Sequence, residues 1–152
     1  MSRKIAYLIN PISGTAKKEG IKVLIEKENT ARNIPFEIIA TNAQGNYTFL
    51  KERIIAEQFT DVVMVGGDGT VNQLVNSLHD MPVQFGIIPV GSGNGLARAA
   101  NIPMKPAAAL NLIFTGTAKH TDAFLINNQF SCMLSGIGFD AKVAHEFSTK
   151  AS

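Results

Sequence analysis

A chain of 152 residues with 45% apolar and 17% charged residues has the length and composition for one domain with a full hydrophobic core. Its formal charge of +2 comes without any run of more than two Lys or Arg, which argues against nucleic acid as a partner. No apolar stretch approaches the roughly 18 residues needed to span a bilayer, no signal-peptide pattern follows Met1-Ser2-Arg3-Lys4, and the single Cys132 admits no internal disulfide, so a cytoplasmic location is expected.

In chain order, Ile5 to Ile9 reads as a first strand, stopped by Asn10-Pro11. A helix is expected from Thr15 to about Thr30, with Ile21, Leu24 and Ile25 on its apolar side. Pro35 to Ala40 reads as a second strand. Asn46 to Gln58 reads as a second helix, on the spacing of Tyr47, Leu50 and Ile54. Asp61 to Val65 is the third strand, and Val71, Leu74, Val75 and Leu78 then mark one buried helix face. Val83 to Ile88 is a fourth strand, Gly95 to Ala100 a short helix, and Pro106 opens a helix to about Phe114 that Gly116 ends. Beyond residue 116 the pattern changes. Thr121 to Ile126 and Gln129 to Leu134 read as a hairpin about Asn127-Asn128, followed by Gly136 to Ala141 and a polar ending at Ser148 to Ser152.

Alternation of apolar strands with helices predicts a three-layer α/β/α domain on a parallel sheet, residues 1–117, followed at 118–152 by the first strands of a second, β-rich domain of a longer protein. Ligands of such sheets bind outside the C-terminal ends of the strands. Three polar loops follow strands: Asn10 to Gly14, Gly66 to Thr70 and Gly91 to Gly95. They are expected to converge on one crevice. The middle loop is the most telling, because two glycines turn the chain, Asp68 projects and Thr70 opens a helix, which aims backbone N–H groups at one point as a phosphate requires. A bare carboxylate beside phosphates is repulsive unless a metal ion or proton lies between them. That pairing points to a magnesium-nucleotide enzyme. Alternatively, Asp68 is only a turn former, Thr70 only a helix cap, Asn10 to Gly14 an ordinary turn, and Arg98 either a phosphate partner or a solvated surface residue. No P-loop lysine motif occurs, Gly136-x-Gly138 lacks the βαβ unit of a dinucleotide site, and His79, His120 and His145 match no zinc spacing.

The motifs NPISG at 10–14, GGDGT at 66–70, PVGSGNGLAR at 89–98 and GIGFDAKV at 136–143, in this order, resemble the diacylglycerol kinase catalytic domain family, in particular bacterial lipid kinases related to sphingosine kinases. The resemblance implies an ATP cleft between an α/β domain and a β-sandwich domain. It implies transfer of the γ-phosphoryl of Mg-ATP to a lipid hydroxyl such as that of diacylglycerol or a sphingoid base. Nucleotide contacts are implied at Asn10, Pro11, Ile12, Ser13, Gly14, Thr41, Gly67, Asp68, Gly69, Thr70, Val71, Asn72, Gln73 and Ser92, and a catalytic role for Asp68. The general base and metal ligands are expected beyond residue 152, leaving this chain alone inactive. A transient contact with the membrane surface, and a homodimer, are compatible with that family. Two positions depart from its usual pattern: Gln73 replaces a glutamate, and Gly95 stands where many bacterial members have aspartate. The alternatives are an NAD kinase-like enzyme, which shares GGDGT, and a non-catalytic nucleotide-binding module.

Overall fold

In a computed structural model of the chain, residues 2–9, 16–42, 44–133, 136 and 138–150 are described, with the side chains of 16–18, 144 and 147–150 left aside. Four strands, β1 (Ile5–Ile9), β2 (Phe36–Ala40), β3 (Asp61–Gly66) and β4 (Gln84–Pro89), form one wholly parallel sheet in the order β2-β1-β3-β4. Helices α1 (Ala16–Ala31), α2 (Leu50–Glu57), α3 (Asp68–Leu78), α4 (Gly95–Ala99) and α5 (Pro106–Thr115) connect and cover it. All five β1 residues are buried, yet they divide by strand alternation. Ala6 and Leu8 pack with Leu50 and Ile54 of α2 and Val71, Leu74 and Leu78 of α3. Ile5, Tyr7 and Ile9 pack with Ile21 and Ile25 of α1 and Ala109 and Leu110 of α5. The expected three-layer α/β/α architecture is therefore present, with a core on each face.

Polar pins hold the layers. At the N-terminal edge, Asp61 is buried and accepts two hydrogen bonds from Arg3, at 2.6 and 3.1 Å. Arg3 also donates to the carbonyl oxygens of Ile113 and Phe114 at the end of α5. Within the α1 face, fully buried Asn29 donates to the Tyr7 hydroxyl and to the Ile25 carbonyl.

The second helix is shorter than the Asn46 start expected from the sequence. Tyr47 is buried as its spacing suggests, but its N–H donates to Ser77 Oγ, and Asn46 Oδ1 accepts the Thr48 N–H in a local turn. These side chains draw residues 46–49 into turns, so α2 begins at Leu50. Strand four likewise begins at Gln84 rather than Val83.

After α5 the chain forms an antiparallel hairpin of β5 (Phe124–Ile126) and β6 (Gln129–Ser131), a separate two-stranded sheet. Asn127 and Asn128 both adopt left-handed backbone, φ 49° and 63°, as the tight turn demands. The paired segments are three residues each, shorter than expected; residue 134 lies outside the described residues. A final helix, α6 (Phe139–Lys150), replaces the expected polar ending. Its described side chains are exposed, so it presents no buried apolar face by which the sequence could announce it.

Candidate functional site at the C-terminal edge of the sheet

The strand register brings Ile9 level with Ala40 and Val65, and Gly66 level with Pro89, so whatever follows the four strands shares one edge. The connection from β2 to β3 passes back over β1, and the crevice of such a sheet opens where that reversal occurs, between β1 and β3. Of the three predicted loops, the first, comprising Asn10, Pro11, Ile12, Ser13 and Gly14, lies outside the described residues. The other two meet.

Gly67 and Gly91 touch backbone to backbone. A Cβ on Gly91 would stand 2.7 Å from Gly67 Cα, and one on Gly67 would stand 3.1 Å from Gly91 Cα. The Val90 N–H donates to the Gly66 carbonyl at 3.0 Å, extending the strand ladder into this contact. Asn94, buried and at φ 53°, closes the third loop on itself: its Oδ1 accepts the Gly91 N–H at 3.0 Å and its Nδ2 donates to the Gly91 carbonyl at 2.6 Å. Asp68 then ties the loops together. Its two oxygens accept the N–H groups of Gly95, at 2.8 Å, and Leu96, at 3.2 Å. The carboxylate that the sequence left waiting for a metal or proton thus faces the first amides of α4, whose partial positive charge stabilises it.

Helix α3 begins at Asp68 itself, two residues before the Thr70 expected from the sequence. Its N-cap, Gly67, is extended (φ −109°, ψ −174°) and no side chain caps it. The first amides of a helix have no intrahelical acceptors. At Gly69, exposed in this first turn, an added Cβ would meet nothing within 4 Å among the described residues. Open space therefore lies over an uncapped helix start, the arrangement that receives a phosphate oxygen.

The remaining candidates sort by what their side chains do. Thr70 is half-buried against Gly66. Val71 belongs to the core, so it has only its backbone to offer a ligand. Thr41 is buried, and its N–H continues the ladder to the Ile9 carbonyl at 3.0 Å. Gln73 lays its amide over Gly45, where a Cβ would be 2.4 Å from Gln73 Cδ. Ser92 is exposed at the tip of the third loop, and Arg98 Nε donates to the Gly93 carbonyl at 3.0 Å, which resolves it as a loop brace. Asn72 lines a cleft of about 310 Å³ shared with Ile126, Asn127, Gln129, Phe130 and Ser131, and its buried Oδ1 has no hydrogen-bond partner among the described residues.

Phosphate oxygens fit the open start of α3. A protein-held magnesium ion does not fit equally well: both Asp68 oxygens already accept amide hydrogens, and the described residues contain no group of three His, Cys, Asp or Glu side chains that could hold a metal. Asn76, whose side chain pairs with the backbone of Phe130 beside this cleft, escapes sequence reasoning; its one signal is its place one helical turn after Asn72.

Comparison with known proteins agrees with this fold. The model of the diacylglycerol kinase catalytic domain matches residues 4–126. Proteins called diacylglycerol kinase from Staphylococcus aureus strains JH9 and Newman are 30% identical over 154 aligned residues, which cover 99% of this chain and 48% of each relative. The chain thus spans about half the length of the curated relatives it matches. A crystal structure described as a diacylglycerol kinase from Bacillus anthracis str. Sterne superposes with a TM-score of 0.69 at 26% identity, over 85% of this chain and 49% of the other.

Proposed function

The chain belongs to the diacylglycerol kinase catalytic domain family, and from that membership we propose that it supplies the nucleotide side of an ATP-dependent kinase acting on a lipid hydroxyl. The observation that carries the reading is the uncapped start of α3, with open space at Gly69, held against the third loop by Asp68. ATP would supply the phosphoryl group, and magnesium would arrive on its phosphates rather than on a cage of this chain's side chains.

The residues at hand then act by positioning. Amides at the start of α3 orient phosphate and neutralise part of its charge. Asp68 keeps the second and third loops in register, and each of its oxygens retains a second lone pair that can accept a hydrogen bond donated by the hydroxyl of the acceptor alcohol. Gln73, neutral where its family carries glutamate, adds no repulsion toward phosphate. Asn10 to Gly14, Thr41 and Ser92 complete the proposed nucleotide contacts, with Val71 contributing backbone only. Beyond this, we propose that residues 118–152 open the β-rich domain forming the other side of the cleft, and that the acceptor is reached at a membrane surface; no helix among the described residues is long and apolar enough to cross one.

The test, on the full-length protein that carries this chain, is transfer of labelled phosphate from Mg-ATP to diacylglycerol, a sphingoid base, monoacylglycerol, phosphatidylglycerol or NAD. Turnover of a lipid alcohol is expected. Turnover of NAD alone would replace the reading with an NAD kinase, and nucleotide binding without turnover would favour a binding module. Asp68→Asn should lower activity more than tenfold. Because that carboxylate also anchors α4, protection of the Gly95 and Leu96 amides from hydrogen exchange must be followed in the same variant. Loss of activity with protection intact assigns Asp68 to the reaction; joint loss assigns it to loop positioning.

A further inference from the structure

The contact between α3 and the hairpin lies about two helical turns beyond the amides that open α3. Asn76 Oδ1 accepts the Phe130 N–H at 2.9 Å, and its Nδ2 donates to the Phe130 carbonyl. One carboxamide thus pairs with both polar groups of one β6 residue, as a neighbouring strand would. The same Nδ2 reaches the Asn72 carbonyl at 3.2 Å, one turn back along α3. On the next turn, His79 stacks on the Phe130 ring, centroids 4.4 Å apart and planes 13° apart. A two-stranded hairpin is marginal by itself. Strand β5 has all three residues exposed, so no core of its own fixes this one. Its position relative to α3 is set by this pair of hydrogen bonds, one stacked ring, and Met133, which follows β6 and packs against the core that α3 covers.

That position sets the width of the cleft of about 310 Å³ between Asn72 and the hairpin. Asn72 stands one helical turn, roughly 6 Å of rise, beyond Asp68. A group in the cleft and a phosphate at the start of α3 would therefore be near neighbours along one rigid helix. We propose that Asn76 is a positioning residue: it holds the hairpin at the distance from α3 at which the cleft receives the acceptor alcohol beside the phosphate site. The proposal rests on the kinase reading for the identity of the occupant and on α3–hairpin geometry for the docking.

Two readouts on the full-length protein that carries this chain separate these parts. By hydrogen exchange, Asn76→Ala should raise the rate at the Phe130 amide about tenfold or more, as loss of two ordinary hydrogen bonds implies, with Gly95 and Leu96 unchanged. In the kinase assay, with dioctanoylglycerol in detergent micelles as probe, its KM for the alcohol should rise about tenfold while KM for ATP stays within twofold. His79→Ala, at an exposed position, should move both readouts in the same direction by less, and it carries the test should Asn76→Ala fail to fold. Wild-type exchange at Phe130, or equal shifts in both KM values, would overturn the proposal. Faster Phe130 exchange in a protein whose wild type phosphorylates no alcohol would uphold the docking and sink the kinase reading.

Discussion

Glycines 69 and 91 are alike in sequence context and opposite in physical reason. At Gly91 a methyl group would press on the Gly67 backbone at 2.7 Å and on Asn94 Oδ1 at 3.0 Å, so the two loops would have to separate. Gly91→Ala should cost about 1–3 kcal/mol of stability, as overpacking does, and weaken nucleotide binding with it. At Gly69 the methyl meets nothing within 4 Å among the described residues and sits in a helix, where alanine is favoured by roughly 0.5–1 kcal/mol. Gly69→Ala should therefore raise the urea midpoint while lowering ATP affinity at least tenfold, because the methyl occupies the approach to the α3 amides. ATP titration of both variants checks this, and unchanged affinity in Gly69→Ala would remove the phosphate site from α3. The sequence shows that a glycine-rich turn follows a buried strand. It does not distinguish a glycine kept for loop-on-loop contact from one kept for open space, since that depends on Gly91 meeting Gly67, 24 positions away along the chain.

Element by element, local periodicity carries what it measures, which is burial, and misses what side-chain hydrogen bonds decide. Tyr47, Leu50 and Ile54 are all buried at the predicted spacing, yet only the last two lie in α2. The Ser77 hydroxyl that holds the Tyr47 N–H comes from α3, 30 residues away, and no window around Tyr47 contains it. Asp68 is a similar case: its attachment to α4 spans 27 residues and turns a puzzling charge into a tie between loops. The end of α2 offers a local test. Gln58 is exposed and left-handed, φ 57° and ψ 43°, while its N–H and that of Phe59 close the helix on the Ile54 carbonyl. That backbone costs a residue with a Cβ roughly 1 kcal/mol. Gln58→Gly should recover most of it and raise the melting temperature by about 2–4 °C in a chain of this size. A lower melting temperature would show that the glutamine side chain contributes more than its backbone conformation costs.

For the molecule as a whole, the alternation of strands and helices sufficed to foresee two covered faces, but β1 is apolar at every position and reveals nothing about which residue faces which layer. The register supplies that, and it places Tyr7 on the α1 and α5 side with its hydroxyl paired to Asn29. Burial pushes the Tyr7 phenol from 10.0 up to about 12, against a smaller lowering by its hydrogen bond to Asn29. The native state therefore keeps this proton after the unfolded chain has released it. Stability from this source is complete below about pH 10 and declines as pH rises toward 12, by about 2–3 kcal/mol for a shift of about two units. Tyr47, raised in the same direction by burial, adds to the decline, and Cys132, also raised by burial, begins it at lower pH. Tyr7→Phe should lose about 1 kcal/mol near pH 8 through its hydrogen bond to Asn29, which keeps its bond to the Ile25 carbonyl. Between pH 10 and 12 the urea midpoint of Tyr7→Phe should fall less steeply than that of the wild type, and the two curves should converge or cross. Parallel curves over that window would mean that the central strand opens before the phenol ionises, and that the alkaline limit of this fold is set elsewhere.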